Sequence, residues 1–310
     1  MARILRMKLY QPYAHYREPK VMQDDYIPTL PLPPATTIAG MVSYMIGRKL
    51  NSLIDIAVCG TSKKKEVNFI RGEHLEFWKE YLKTYVKNKY ETKDSKEILI
   101  KYFNVSEDEI KGLNKKSLDD LLKTKEELKK IEQLKNGENF SWYKTKVAGN
   151  RIMNFEVLSE VELIIYLKID NEKDFDDIKS AFEDMPYYLS LGRKEDFAVF
   201  SKGETIEEIT EKVEEREFSI EESIIINAKL KNSYIPVKLR ESNDDYFLNQ
   251  GVLYSLPLKY ADIAKDKTER RIEHSHFIFI DNKGIYPKDK KIAVYKNEKE
   301  VETFCWMLGL

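Results

Sequence analysis

The 310-residue sequence predicts an α+β fold, and three observations predict it. An apolar strand at the N-terminus runs through a proline-punctuated hinge into a segment of helical period. A second strand-then-helix pair follows at about 153–182. The final third holds several short β candidates separated by turn residues. Hydrophobic residues make up 42% and charged residues 34% of the chain, which fits a globular protein long enough to bury a real core.

In chain order, the first strand spans about Arg3 to Tyr10, with Ile4, Met7 and Leu9 apolar. The hinge Leu30-Pro31-Leu32-Pro33-Pro34 cannot be helix interior, so a helix is expected to start just after it. Ala35, Thr36 and Thr37 would supply that start, a threonine hydroxyl accepting from an orphan N–H one turn in. Ile38, Met41, Val42, Met45 and Ile46 recur at helical spacing to about Leu50, and Gly40 and Gly47 are expected to let the helix pack close to a sheet. Leu53–Cys59 and Val67–Ile70 read as a hairpin around Gly60-Thr61-Ser62 and a lysine triplet.

Residues 74–136 change character and read as an inserted helical lobe. Ser106 with Glu109 fits a capping box, and a helix from Leu118 ends near Asn136-Gly137. Strands are expected at Phe140–Ala148 and Met153–Ile169, a helix at Asp174–Phe182, and a turn-rich passage at Pro186–Asp196 leading to Phe197–Phe200. Later β candidates are Ser223–Leu230, Tyr234–Leu239, Gly251–Leu256, His274–Ile280 and Ile292–Tyr295. With the lobe set aside, the order strand, helix, strand, strand, helix, strand is that of a ferredoxin-like split β-α-β domain. The expected organisation is such a domain over 1–205, with the lobe inserted at 74–136, and a small C-terminal antiparallel β part over 206–310.

The net charge of −1 hides strong local differences. Residues 1–50 carry seven Lys/Arg against three acids, whereas 204–222 carries nine glutamates against Lys212 and Arg216. Lys144, Lys146 and Arg151 form a stretch without an acid. There is no run of apolar residues long enough for a membrane span, and MARILRMKLYQPY lacks the pattern of a signal peptide, so a cytoplasmic protein is expected. Cys59 and Cys305 stand far apart without metal spacing and read as free thiols in a reducing compartment.

Two clusters have residue types suited to phosphate and bases. His15, Tyr16, Arg17 and Lys20 sit between the first strand and the helix: Arg grips phosphate bidentately, Lys acts as a point charge, and Tyr can stack on a base. Gly192-Arg193-Lys194 sets two cations directly after a residue of permissive backbone, though alone it is also ordinary turn chemistry. His274 and His276, two apart on a strand, share a face but have no evident third ligand.

LYQPYAHYREP, LPLPPATTIAGMVSYMIG and PYYLSLGRKED together resemble the CRISPR-associated Cas family five, over roughly residues 3–60 and 150–200. The pattern is an aromatic-Arg-x-Pro loop at Tyr16–Pro19, a proline-rich helix entry at Pro31–Thr36, and a Leu-Gly-Arg turn at Leu191–Arg193. Tyr254–Pro257 and Arg270-Arg271 are reminiscent of its type I-B branch. The resemblance implies an RRM-like domain of the RAMP superfamily, no cofactor, and a non-catalytic subunit of a type I Cascade complex that caps the 5′ tag of the crRNA. Implied partners are that tag, the Cascade backbone subunit, the large PAM-reading subunit and target DNA near the PAM. Tyr16, Arg17, Thr36 and Arg193 occupy motif positions for tag contact, with Thr37 beside them. Lys20, Lys144, Lys146, Arg151 and Lys194 are added on charge and expected proximity.

Two other functions stay open at this point. One branch of the family cleaves precursor guide RNA without metal, which needs a base near the 2′-OH and a donor to the leaving oxygen. No Lys-His dipeptide is present for that role, leaving His15 and the 274/276 pair as substitutes. The other is a protein-interaction scaffold built on the acidic segment and the helical lobe.

Overall fold

The computed structural model describes residues 2–18, 26–72, 106–108, 151–239, 245–260, 272–288, 290–297 and 301–309. By compactness the chain divides into Met1–Asn68 with Phe155–Leu310, and a second unit, Phe69–Asn154. The helical lobe and the strand at Phe140–Ala148 fall almost wholly outside the described residues.

The first unit opens with β1 (Arg3–Ala14), β2 (Tyr26–Ile27), α1 (Ala35–Met45) and β3 (Asp55–Gly72). It resumes with β4 (Arg151–Ile169), α2 (Glu172–Glu183), β5 (Val199–Phe200), β6 (Glu207–Glu208), a 3-10 turn at Thr210–Lys212, and β7 (Val213–Glu217). Next come α3 (Ile220–Ile225), β8 (Ser233–Val237), α4 (Asp245–Leu248) and β9 (Val252–Tyr260). The final strands are β10 (Ile272–Ile280), β11 (Lys291–Lys296) and β12 (Val301–Phe304). The tails of β3 and β4, residues 69–72 and 151–154, belong to the second unit.

The fold is mixed α/β. Among the described residues the larger sheet runs β5-β1-β4-β3-β8-β10-β9, with β2 added to β4 and β6 to β1, and a smaller sheet runs β12-β11-β7. β1 and β4 pair antiparallel from Arg3↔Ile169 to Ala14↔Leu158. Alternation along β1 then assigns its two faces. Leu5, Met7 and Leu9 pack with Ile38, Met41 and Val42 of α1 and Phe175, Ile178 and Phe182 of α2. Ile4 faces the other way, with Tyr166, Ala293, Tyr295, Phe304 and Trp306 around the smaller sheet. Each fully buried side chain of this kind stabilises the fold by roughly 1.5–3 kcal/mol. Residues 206–310 contribute β6 to β12 and share one compact unit with the N-terminal strands.

Several local expectations are corrected. α1 is capped by Pro34, with no side-chain cap hydrogen bond; the Pro34 carbonyl accepts from Thr37 N at 2.9 Å and Ile38 N at 3.3 Å. Gly40 is exposed with nothing near it, and Gly47 at φ +68° ends the helix instead of packing it. The glycine that does make a close approach is Gly60, where a Cβ would lie 2.6 Å from the Glu162 carbonyl oxygen. The expected hairpin at 53–70 is a single strand, β3. Ser223–Leu230, expected as β, begins inside α3, because Ser219 and Glu222 form a complete capping box ahead of it.

α2 is held at its start by the Asn171 side chain, which accepts from Asp174 N at 2.9 Å. Buried Asp174 in turn accepts from Asn51 N, Asn51 Nδ2 and Ser52 N and pairs with Arg48 at 2.7 Å. Burial pushes its carboxyl up, but Arg48 and those backbone donors hold it below the usual range. The loop after α1 is thereby clipped to the first turn of α2. Cys59 and Cys305 are free, and burial pushes the Cys305 thiol up to about 12.

Candidate nucleic-acid interface

The N-terminal loop and the glycine turn meet. β1 ends at Ala14, and its continuation pairs with the incoming hinge: Arg17 bridges Thr29, Leu30 N donates to the Tyr16 carbonyl at 2.7 Å, and Tyr16 N donates to Thr29 Oγ1 at 2.8 Å. Beyond the hinge, the buried Tyr234 hydroxyl donates to the Leu32 carbonyl at 3.0 Å, fixing the approach to α1.

The turn is a short loop closed by the Ser190↔Phe197 bridge and by Leu191 N donating to the Asp196 carbonyl at 3.0 Å. Asp196, 1% exposed, joins it to the N-terminal loop. Its Oδ2 accepts from His15 N at 3.0 Å and Arg193 N at 2.8 Å, and its Oδ1 accepts from Arg193 Nη2 at 2.7 Å. Gln11 adds a second tie, its Nε2 donating to the Leu191 carbonyl at 2.8 Å and its Oε1 accepting from the Tyr16 hydroxyl at 2.5 Å. Gly192 is required here: at φ +112°, a Cβ would lie 2.8 Å from Asp196 Oδ2 and 2.9 Å from the His15 carbonyl oxygen.

A second junction lies on Glu156 of β4. Its carboxylate accepts from Tyr26 Oη at 2.6 Å and Thr29 N at 3.0 Å and pairs with Lys65 at 3.2 Å, while its carbonyl lies 2.6 Å from His15 Nδ1. Burial raises the Glu156 carboxyl, but Tyr26, Thr29 and Lys65 more than offset it and hold it below the usual range. Burial lowers the His15 imidazole; the Glu156 carbonyl opposes that shift, and nearby Arg193 reinforces it. The His15 ring also meets Phe155 edge-on, and the Arg193 guanidinium lies 4.8 Å above the same Phe155 ring.

The expected site residues therefore divide. Arg17 and Lys194 are exposed beside the junction. Arg193 sits there too, but its guanidinium is engaged by Asp196 and, at 3.3 Å, by Glu195. Tyr16 is 1% exposed, so its ring cannot stack on a base; it is a buried strut. Thr36 is buried and Thr37 half-buried in the first turn of α1, and neither hydroxyl caps that helix. Lys20, Lys144 and Lys146 lie outside the described residues, as does the side chain of Arg151 at the start of β4. His274 and His276 lie on β10 beside a bulge, and among the described residues no three metal-ligating groups come together.

Two features of the site escape a reading of the sequence. The lysine triplet has the composition of a turn, and only the continuity of β3 delivers Lys65 to Glu156. Four aromatic rings, each at least half exposed, flank the glycine turn: Tyr44 lies 5.2 Å from Tyr187, and Tyr188 lies 5.4 Å from Phe197. The signal for them is the Pro186-Tyr187-Tyr188 run just ahead of the turn.

No protein-family model matches the chain, and no curated protein matches it. Several solved structures do resemble it, and they contain CRISPR-associated proteins. One is a chain of a CRISPR RNA-guided surveillance complex, at TM-score 0.39 and 12% identity over 92% of this chain and 91% of that one. Another is a chain of the type III-B Cmr-beta complex bound to cognate target RNA and AMPPnP, at TM-score 0.36 and 15% identity over 89% and 84%. A third is a CRISPR protein from Archaeoglobus fulgidus, at TM-score 0.34 and 10% identity over 99% of both chains. At such scores, this chain's own chemistry has to decide what its residues do. Among the described residues, no helix is long and apolar enough to cross a membrane.

Proposed function

We propose that this chain is a non-catalytic RNA-binding subunit of a type I CRISPR surveillance complex. In this reading it holds the 5′ tag of the guide RNA and helps anchor the large PAM-reading subunit and the backbone subunit. The observation that carries the reading is Asp196, which binds the His15–Arg17 loop and the Gly192–Lys194 turn into one surface although about 180 residues separate them. A strand end, two cation-bearing loops and exposed rings suit a single strand held by phosphate contact and base stacking. The strand order β5-β1-β4-β3, with α1 between β1 and β3 and α2 between β4 and β5, supports the ferredoxin-like RAMP reading of the domain.

Arg17→Ala combined with Lys194→Ala is the test, because both side chains are exposed and the fold does not rest on them. Binding of repeat-derived RNA should weaken, and the slope of log affinity against log salt should flatten by about 0.7 for each phosphate the protein no longer neutralises. Unchanged affinity and slope would end the reading.

The convergence of Tyr26, Lys65 and His15 on Glu156 favours a second reading, a metal-independent endoribonuclease, because these types serve as acids and bases in RNA cleavage. A defined cut of repeat RNA in EDTA, abolished by Lys65→Ala or His15→Ala, would replace the first reading with this one.

A further inference from the structure

The opposite face of the larger sheet carries a cavity of about 290 Å³. Lys8 contributes to its floor and alternates with Met7 and Leu9, which face α1 and α2, so it points away from the helices. The glycine turn is tied to Gln11, on the helix side of β1, so the cavity is a separate place. Its walls come from the Lys229–Asn232 segment, the turn at Asn282, and Val301–Thr303 of β12.

The walls are built to hold position. Leu230 exchanges both backbone hydrogen bonds with Ile285, at 2.9 and 2.8 Å, and is fully buried. Alternation then sends Lys229 and Lys231 to the same side, and both line the cavity. Asn232, at φ +48°, is fixed by its N–H to the Asp281 carbonyl and its carbonyl to Gly60 N at 2.9 Å, and its side chain donates to Asn282.

The charge here is unbalanced. Lys8, Lys229 and Lys231 all line it without an ion pair among the described residues, the Lys229 ammonium lying 5.8 Å over the Tyr286 ring, whereas two carboxylates reach the walls. Glu302 is already taken by Arg6 at 2.6 and 2.9 Å and by the Tyr166 hydroxyl. That leaves Glu162 against three ammonium groups. Lysines of this kind hold phosphate as point charges, and amides and hydroxyls fill the remaining acceptor directions. The volume stands near the lower end of small-molecule pockets, about 300–1,000 Å³, and exceeds what one inorganic phosphate fills.

We propose that this cavity binds a small phosphomonoester of mononucleotide size, its phosphate held by Lys8, Lys229 and Lys231. The inference uses no part of the RNA reading, and either can fail alone. The test is calorimetric titration of the full chain with AMP, pyrophosphate and adenosine. AMP and pyrophosphate should bind, and adenosine should bind at least about tenfold more weakly. Lys8→Ala and Lys231→Ala should each weaken AMP about tenfold or more while leaving the melting temperature unchanged, and Glu162→Gln should tighten it. A 5′-phosphorylated ribo-oligonucleotide titrated alongside assigns the source: tighter binding than AMP points to a strand end, weaker binding to a free nucleotide. Equal binding of adenosine, loss of AMP affinity in Glu162→Gln, or indifference of AMP to both lysine substitutions would overturn the proposal.

Discussion

Asp196 and His15 show how single groups set the geometry of the junction between the N-terminal loop and the glycine turn. The Asp196 carboxylate accepts from two backbone N–H groups and a guanidinium, so it positions Arg193 instead of leaving it free for a ligand. His15 makes the same junction sensitive to pH. Its folded imidazole titrates below the ordinary value of 6.5, so the unfolded chain binds the extra proton first. The stabilisation it brings is complete above about pH 6.5 and fades as pH falls through the lower folded value. Thermal melts from pH 7.5 to 5.5 should therefore show a falling midpoint that His15→Gln flattens. Part of this was legible in the sequence: a glycine followed by cations marked the turn correctly. Tyr16 and Asp196 were not legible as struts, because a loop tyrosine or aspartate reads the same whether it faces solvent or a buried N–H.

At the scale of elements, backbone hydrogen bonding overrode local composition. Gly60-Thr61-Ser62 and three lysines have turn chemistry, yet β3 runs through them because β4 and β8 flank it in the sheet order. Ser223–Leu230 has β-branched residues, yet the capping box at Ser219 and Glu222 starts a helix there. The long periodic segments β1, β4, α1 and α2 were legible as elements, although β1 runs on past Tyr10 to Ala14 and α1 stops at Met45, short of Leu50. The two helix starts make opposite predictions under urea denaturation. Asn171→Ala should lose about 1 kcal/mol, because its side chain accepts from Asp174 N. Thr37→Ala should lose well under that, since the cap of α1 is the Pro34 carbonyl.

Within the first unit, the larger sheet has α1 and α2 on one face and the smaller sheet on the other, and Arg6 faces the second. It meets Glu302 in a buried bidentate pair spanning 296 positions of sequence. No sequence pattern signals a partner so distant. Arg6→Ala should destabilise by roughly 3–5 kcal/mol in urea, because it strands a buried carboxylate, while Arg6→Met with Glu302→Leu should recover much of the loss. β1 is also bordered by residues 158–169 on one side and 199–208 on the other. A nascent chain thus has nothing local with which to complete its opening strand. That strand stays an unsatisfied edge on the ribosome until β4 emerges, and its arginine stays uncompensated until Glu302 does. Folding should accordingly be slow, and the interval before β12 is available is when the chain most needs a chaperone.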